Sequence, residues 1–185
     1  MYKKFNLVEA FLFYICAAKD TYICTPNHIK INKKMSKLNF LKNEFPKLVK
    51  NLNPEAKGSW GVLNGQQMVE HMADSIREAT GKEKLTILTP ADKLDKAKEF
   101  AMSDKEFKPG TKNIKMSETP HQMRTTGIEQ AIKEYEKELE GFVNYFETNK
   151  GATLPNSFFG NLNYEEWLHL FHKHATHHLK QFGLL

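Results

Sequence analysis

Between Ile128 and Phe146 the apolar residues fall on one stripe: Ile128, Ala131, Ile132, Tyr135, Leu139, Phe142, Val143 and Phe146. Glu and Lys fill the positions between them. This is the 3.6-residue period of an amphipathic helix about five turns long. Such a helix is stable only when its stripe is covered, and helices elsewhere in the chain offer matching faces.

Residues 36–52 place Leu38, Leu41, Phe45, Leu48, Val49 and Leu52 at helical spacing. Pro46 lies inside that pattern, so this helix starts late, kinks or breaks there. A second helix is expected from about Asn64 to Ala79, with Met68, Val69, Met72, Ala73 and Ile76 apolar and Gly81 as the stop. The last helix is expected to begin at Asn163, with Glu166 three positions on as in a capping box. It runs through Trp167 to about Gln181 and ends at Gly183. Residues 82–125 are the least regular. Thr89-Pro90 opens a short helix around Leu94 and Ala97, and Lys108-Pro109-Gly110 and Thr119-Pro120 mark turns. No convincing strand pattern appears. The fold class expected is all-α, a four-helix bundle with a long crossover connection.

The chain has 185 residues, enough for one domain and a tail. No apolar run reaches the ~18 residues of a membrane span. The net charge of +5 suggests nucleic acid at first sight. However, residues 1–34 carry six lysines and two acids, whereas residues 35–185 carry 21 basic and 20 acidic groups. A nucleic-acid binder concentrates basic charge on its folded part, so no nucleic-acid partner and no membrane partner are expected.

Residues 1–34 differ in character from the rest and are expected to lie outside the fold, which then occupies residues 35–185. Three readings stand: upstream sequence translated ahead of a start at Met35, a signal or anchor, and a genuine extension. The apolar run from Phe11 to Ala18 resembles a short signal core, but Glu9 and the run's length speak against it. Cys16 and Cys24 both fall here, which leaves the domain without a disulfide framework or a cysteine nucleophile. A cytoplasmic location is expected.

Five of the eight histidines lie within residues 169–178. At ~100° per residue, Trp167, Leu170, Phe171, His178 and Gln181 fall within roughly 60° of His174. His169 and His172 fall on the far side among the charges, and His177 sits at the edge. His174 and His178 are therefore i and i+4 on the buried face, a spacing at which two imidazoles can bind one metal ion. The plainer reading is a pair of core histidines bonded to other side chains or water. A third ligand must come from another helix. His71, one turn from Met68, is the best placed, and His121 after a turn proline is a weaker candidate. Glu165 and Glu166 diverge on the helix, and capping accounts for Glu166. No G-x-S-x-G serine, phosphate loop or dinucleotide fingerprint occurs.

The last helix reads His174-Ala-Thr-His177-His178-Leu-Lys-Gln181, which resembles the H-x-x-H-H-x-x-Q signature of DinB/YfiT-like proteins. The stretches from Trp60 to His71 and from Phe159 to Trp167 resemble a small DinB-like family labelled only as a domain of unknown function. The resemblance covers Met35 to Leu185. It implies a four-helix bundle with long crossovers and a divalent metal, zinc or nickel, held by His71, His174 and His178. Characterised relatives in that superfamily include thiol-dependent transferases and isomerases, such as mycothiol-dependent maleylpyruvate isomerase and bacillithiol transferase. The implied activity is thus a thiol-dependent transfer or a hydrolysis, with a small-molecule substrate or a low-molecular-weight thiol as partner. A homodimer is compatible with this reading. A metal-binding or structural bundle without turnover, acting in a stress response or an assembly, is the alternative. Gln181 and His177 are the outer-shell candidates. Gln181 either orients a ligand or water or makes a helix-end hydrogen bond. The catalytic residues are not identified, and Glu70 is expected to point away from His71.

Overall fold

Two asparagines set where two of the helices begin. In the computed structural model, Asn64 accepts the Gln67 backbone N–H and the Gln67 side chain returns to the Asn64 N–H. Asn163 and Glu166 do the same. Each box satisfies N–H groups that have no partner inside the helix, worth about 1 kcal/mol per cap. The structure describes residues 37–185 except 112, 113, 116 and 118. The expectations for residues 1–34 lie outside the described residues.

The described chain is mostly helical. It is helical already at residue 37, passes through a π-helical turn at Phe40–Glu44 and continues as α1, Phe45–Val49. Helix α2 spans Gly65–Arg77 and tightens into a 3-10 turn, Glu78–Thr80, that ends at Gly81 in the left-handed region (φ 72°). Helix α3 is Ala91–Met102, α4 is Ile128–Thr148 and α5 is Tyr164–Gln181. The expected helices are therefore present. The π turn is the form that the Pro46 break takes. Proline has no N–H for the preceding turn and its ring crowds the carbonyl there, so the turn before it widens.

One expectation fails. A small antiparallel hairpin joins α4 to α5, with β1 Leu154–Asn156 paired to β2 Gly160–Leu162 and Leu154 opposite Leu162. The Asn156 side chain accepts the backbone N–H groups of Phe158 and Phe159 and so closes the turn. Gly160 takes φ 74°.

Helices α2 and α4 make the most extensive pairing. The α4 stripe is buried as its period requires: Ile128, Ala131, Ile132, Tyr135, Leu139, Phe142 and Phe146. Helix α5 adds Trp167, Leu168, Leu170, Phe171, Ala175 and Leu179 to the same core. The Phe142 ring lies 5.2 Å from both Phe171 and Tyr164, which fixes α4 on α5. Fully burying one such side chain contributes about 1.5–3 kcal/mol. Among the described residues no helix is long and apolar enough to cross a membrane.

The long connection after Gly81 is tied down at both ends. Leu88 and Thr89 donate to the carbonyls of Ser157 and Phe158 in the hairpin. After α3 the chain runs along the outer side of α5, where the Lys173 ammonium donates to the carbonyls of Phe100, Ala101 and Ser103 at the end of α3. The Phe100 carbonyl also accepts the Ser103 N–H and hydroxyl, and a lysine adds the cation that suits that negative helix end.

Candidate metal centre

Counting from the two asparagine caps, α2 presents His71 and α5 presents His174 and His178 toward one another. His174 Nε2 lies 3.2 Å from His71 Nε2 and 2.9 Å from His178 Nε2. The ligand atoms of all three lie within 4.8 Å of one another, and the cluster holds no carboxylate or thiol. His71 and His174 keep a little exposure, while His178 is buried.

Burial disfavours the imidazolium form. It draws the His71 pKa down to about 4, against a smaller opposing pull from Asp74. For His178 burial acts first, the charge of His71 adds to it, and the hydrogen bond with Gln181 opposes it, leaving a value of about 3. His174 is held well below 6.5 by burial and then by its three histidine neighbours. All three rings are therefore neutral at pH 7, the form that binds metals.

Three neutral imidazoles aimed at one point do not satisfy each other well. Each has one lone pair and one N–H, and only one proton fits between any two nitrogens. A cation accepts all three lone pairs at once. Zn–N bonds of ~2.0–2.1 Å place tetrahedral ligand nitrogens about 3.3 Å apart, close to the 2.9 and 3.2 Å separations here. The donor set fits a divalent transition-metal ion, which imidazole suits, better than a hard oxygen-seeking ion such as calcium.

The other sequence candidates fall as follows. His178 Nδ1 and Gln181 Oε1 are 2.7 Å apart, so Gln181 touches a cluster member directly. His177 stands at the edge, accepting from the Trp60 indole N–H at 3.4 Å, with its ring 6.0 Å from that of Phe107. His121 is exposed, and only its carbonyl is engaged, by Gln67. Trp167 and Phe171 are core residues, as expected. Glu70 does point away: it accepts the Thr125 hydroxyl at 2.6 Å and backbone N–H at 2.9 Å. Burial alone raises the Glu70 pKa, but these bonds, with those from Gln66 and the Arg124 backbone, outweigh it and hold the pKa below 4.5.

His169 and His172 lie on the far side of α5, as the helical wheel places them, but that side is covered and they do not face water. They are half-buried. The Lys37 ammonium bonds His169 Nδ1, and the Phe40 ring packs on His172 at 4.7 Å. Both remain outside the three-histidine cluster. The segment after α3 covers this side of α5 and leaves a groove of about 190 Å³, bordered by Trp60, Phe107, His172, Lys173 and His177. Phe107 is also edge-on to His174, at 6.4 Å between ring centres. Sequence reasoning did not find Phe107, because a lone aromatic in an irregular segment carries no periodic signal. Trp60 was visible only as part of a motif.

Compared with protein-family models, curated proteins and solved structures, the chain matches none.

Proposed function

We propose that the chain is a DinB-like four-helix bundle that binds one divalent metal ion, zinc or nickel, through Nε2 of His71, His174 and His178. The observation that carries this reading is the convergence of three neutral imidazoles from two helices on one point, with no carboxylate among them. Three protein ligands leave a coordination position for a small molecule, as catalytic metal sites commonly do. A divalent ion held there lowers the pKa of a bound water or thiol and so supplies a nucleophile near neutral pH. The reaction class we favour is thiol-dependent transfer to an electrophile, or hydrolysis, in a cytoplasmic setting. The chain's own contribution is to hold the three rings neutral and oriented.

A metal-binding bundle without turnover is the second reading. Glu70, the carboxylate next in sequence to His71, is fully engaged by Gln66, Arg124 and Thr125. The cluster itself contains no acid or base apart from the histidines.

Elemental analysis of protein purified without a His tag tests the site, with one zinc or nickel per chain expected. A chain that carries neither, and takes up neither when offered, ends the metal reading. Assay of the loaded protein with low-molecular-weight thiols and electrophiles then separates the two readings: turnover supports the enzyme, and its absence across the panel supports the second.

A further inference from the structure

Residues 58–61, Gly-Ser-Trp-Gly, wrap the end of α5 at one residue, Gln181. The Ser59 N–H donates to the Gln181 carbonyl at 2.8 Å, and the Gln181 side-chain amide donates to the Trp60 carbonyl. The two glycines leave the space that this contact needs. A Cβ on Gly58 would stand 2.7 Å from Gln181 Cγ, and one on Gly61 would stand 2.7 Å from Gln181 Nε2. Gly61 also has φ +78°, which other residues rarely adopt. Gln181 is buried.

The hydrogen bonds fix a direction. The Trp60 carbonyl only accepts, so the amide nitrogen of Gln181 must face it. The amide oxygen then faces His178 Nδ1 at 2.7 Å, and an oxygen there requires that Nδ1 carry the proton. His178 Nε2 is left with its lone pair, aimed at His174 Nε2 2.9 Å away.

We propose that Gln181, gripped by the Gly58–Gly61 loop, is a positioning residue that sets the tautomer and ring orientation of His178 and thereby tunes metal affinity. The metal half of this inference rests on the reading proposed above, and the tautomer half does not. Outer-shell partners of ligating histidines typically change affinity about 10- to 100-fold when removed.

The test uses the full chain with Zn²⁺ as the probe. Ring ¹⁵N shifts of His178 in the metal-free protein report the tautomer, and competition with a chromophoric chelator reports affinity. The native chain should show Nδ1–H. Gln181→Met should lose that preference and bind Zn²⁺ about 10- to 100-fold more weakly. Gln181→Glu keeps an oxygen acceptor at Nδ1 but sets an oxygen where the amide donated to the Trp60 carbonyl, so it should retain the tautomer while losing the loop's hold on the side chain. A native His178 protonated at Nε2 overturns the proposal. So does loss of the Nδ1–H preference in the Glu variant as complete as in the Met variant, which would mark Gln181 as packing only. If Gln181→Met does not fold cooperatively, Gly61→Ala takes its place, and unchanged affinity and tautomer in that variant overturn the proposal. A native chain that shows Nδ1–H but binds no Zn²⁺ overturns the metal reading and confines Gln181 to orienting a core histidine.

Discussion

The Tyr135 hydroxyl donates a hydrogen bond to the Leu41 carbonyl at 2.8 Å, from the middle of α4 to the π turn ahead of α1. The reason lies at Pro46. In the π turn the Phe45 N–H reaches back five residues to the Phe40 carbonyl. The same step from residue 46 would serve Leu41, but proline has no N–H to give. Tyr135 supplies the missing donor. Both residues are fully buried, so the carbonyl would otherwise have no partner from water. Burial, with a smaller push from Glu136, also holds the Tyr135 phenol neutral, well above its ordinary pKa of 10.

Tyr135→Phe should therefore cost about 1–3 kcal/mol, the penalty of an unsatisfied buried carbonyl. In a Pro46→Ala background the new N–H can serve Leu41, and the same Tyr135→Phe change should cost less. Urea unfolding of the four chains in a double-mutant cycle checks this. Equal costs in the two backgrounds would separate Tyr135 from Pro46 and defeat the explanation.

Much of this arrangement was legible in the sequence. The α4 stripe is dense enough that its period alone gave Ile128–Phe146, against an observed Ile128–Thr148. Asn163 announces its helix through side-chain chemistry that acts within three residues, and the structure shows the same box at Asn64 with Gln67. His174 and His178 were placed together by the same local geometry, because i and i+4 share a face of any α-helix. What escaped depends on distant chain. The strands of the hairpin are three residues each, too short for a period of two to register. The helical wheel put His169 and His172 on the far side of α5, and that angle was right. A wheel reports direction, however, and not what lies opposite: the Lys37–Phe40 turn and the segment after α3 cover that side. The donor for Leu41, 94 residues away in sequence, had no sequence signal at all.

The histidines separate into two groups with different expected responses to substitution. Replacing His71, His174 or His178 with Ala removes one of three ligand nitrogens and should abolish most zinc or nickel binding, read as metal per chain after dialysis. His169→Ala and His172→Ala touch the Lys37 and Phe40 contacts instead and should leave the stoichiometry near that of the native chain. Loss of metal in His172→Ala, with full retention in His174→Ala, would move the site to the groove side of α5.

The metal-free chain should lose stability in mild acid, and the sign follows from the direction of the histidine shifts. His71 titrates at about 4 and His178 at about 3 in the fold, against an ordinary 6.5, and His174 is also held well below 6.5. His169, His172 and His177 are lowered too, burial being the first cause for each. The unfolded chain therefore binds more protons than the folded one once the pH drops below 6.5. Stability is fully present above that value, falls as the pH is lowered, and levels off only below the folded values. Each histidine in that window contributes a slope of up to about 1.4 kcal/mol per pH unit. Bound metal should steepen the loss, because protons compete for the same nitrogens. Urea midpoints measured from neutral pH down to about 5 check the slope, and His71→Gln should make it shallower by removing one titrating group. A midpoint that stays level across that range would show that the three imidazoles are not held neutral by burial.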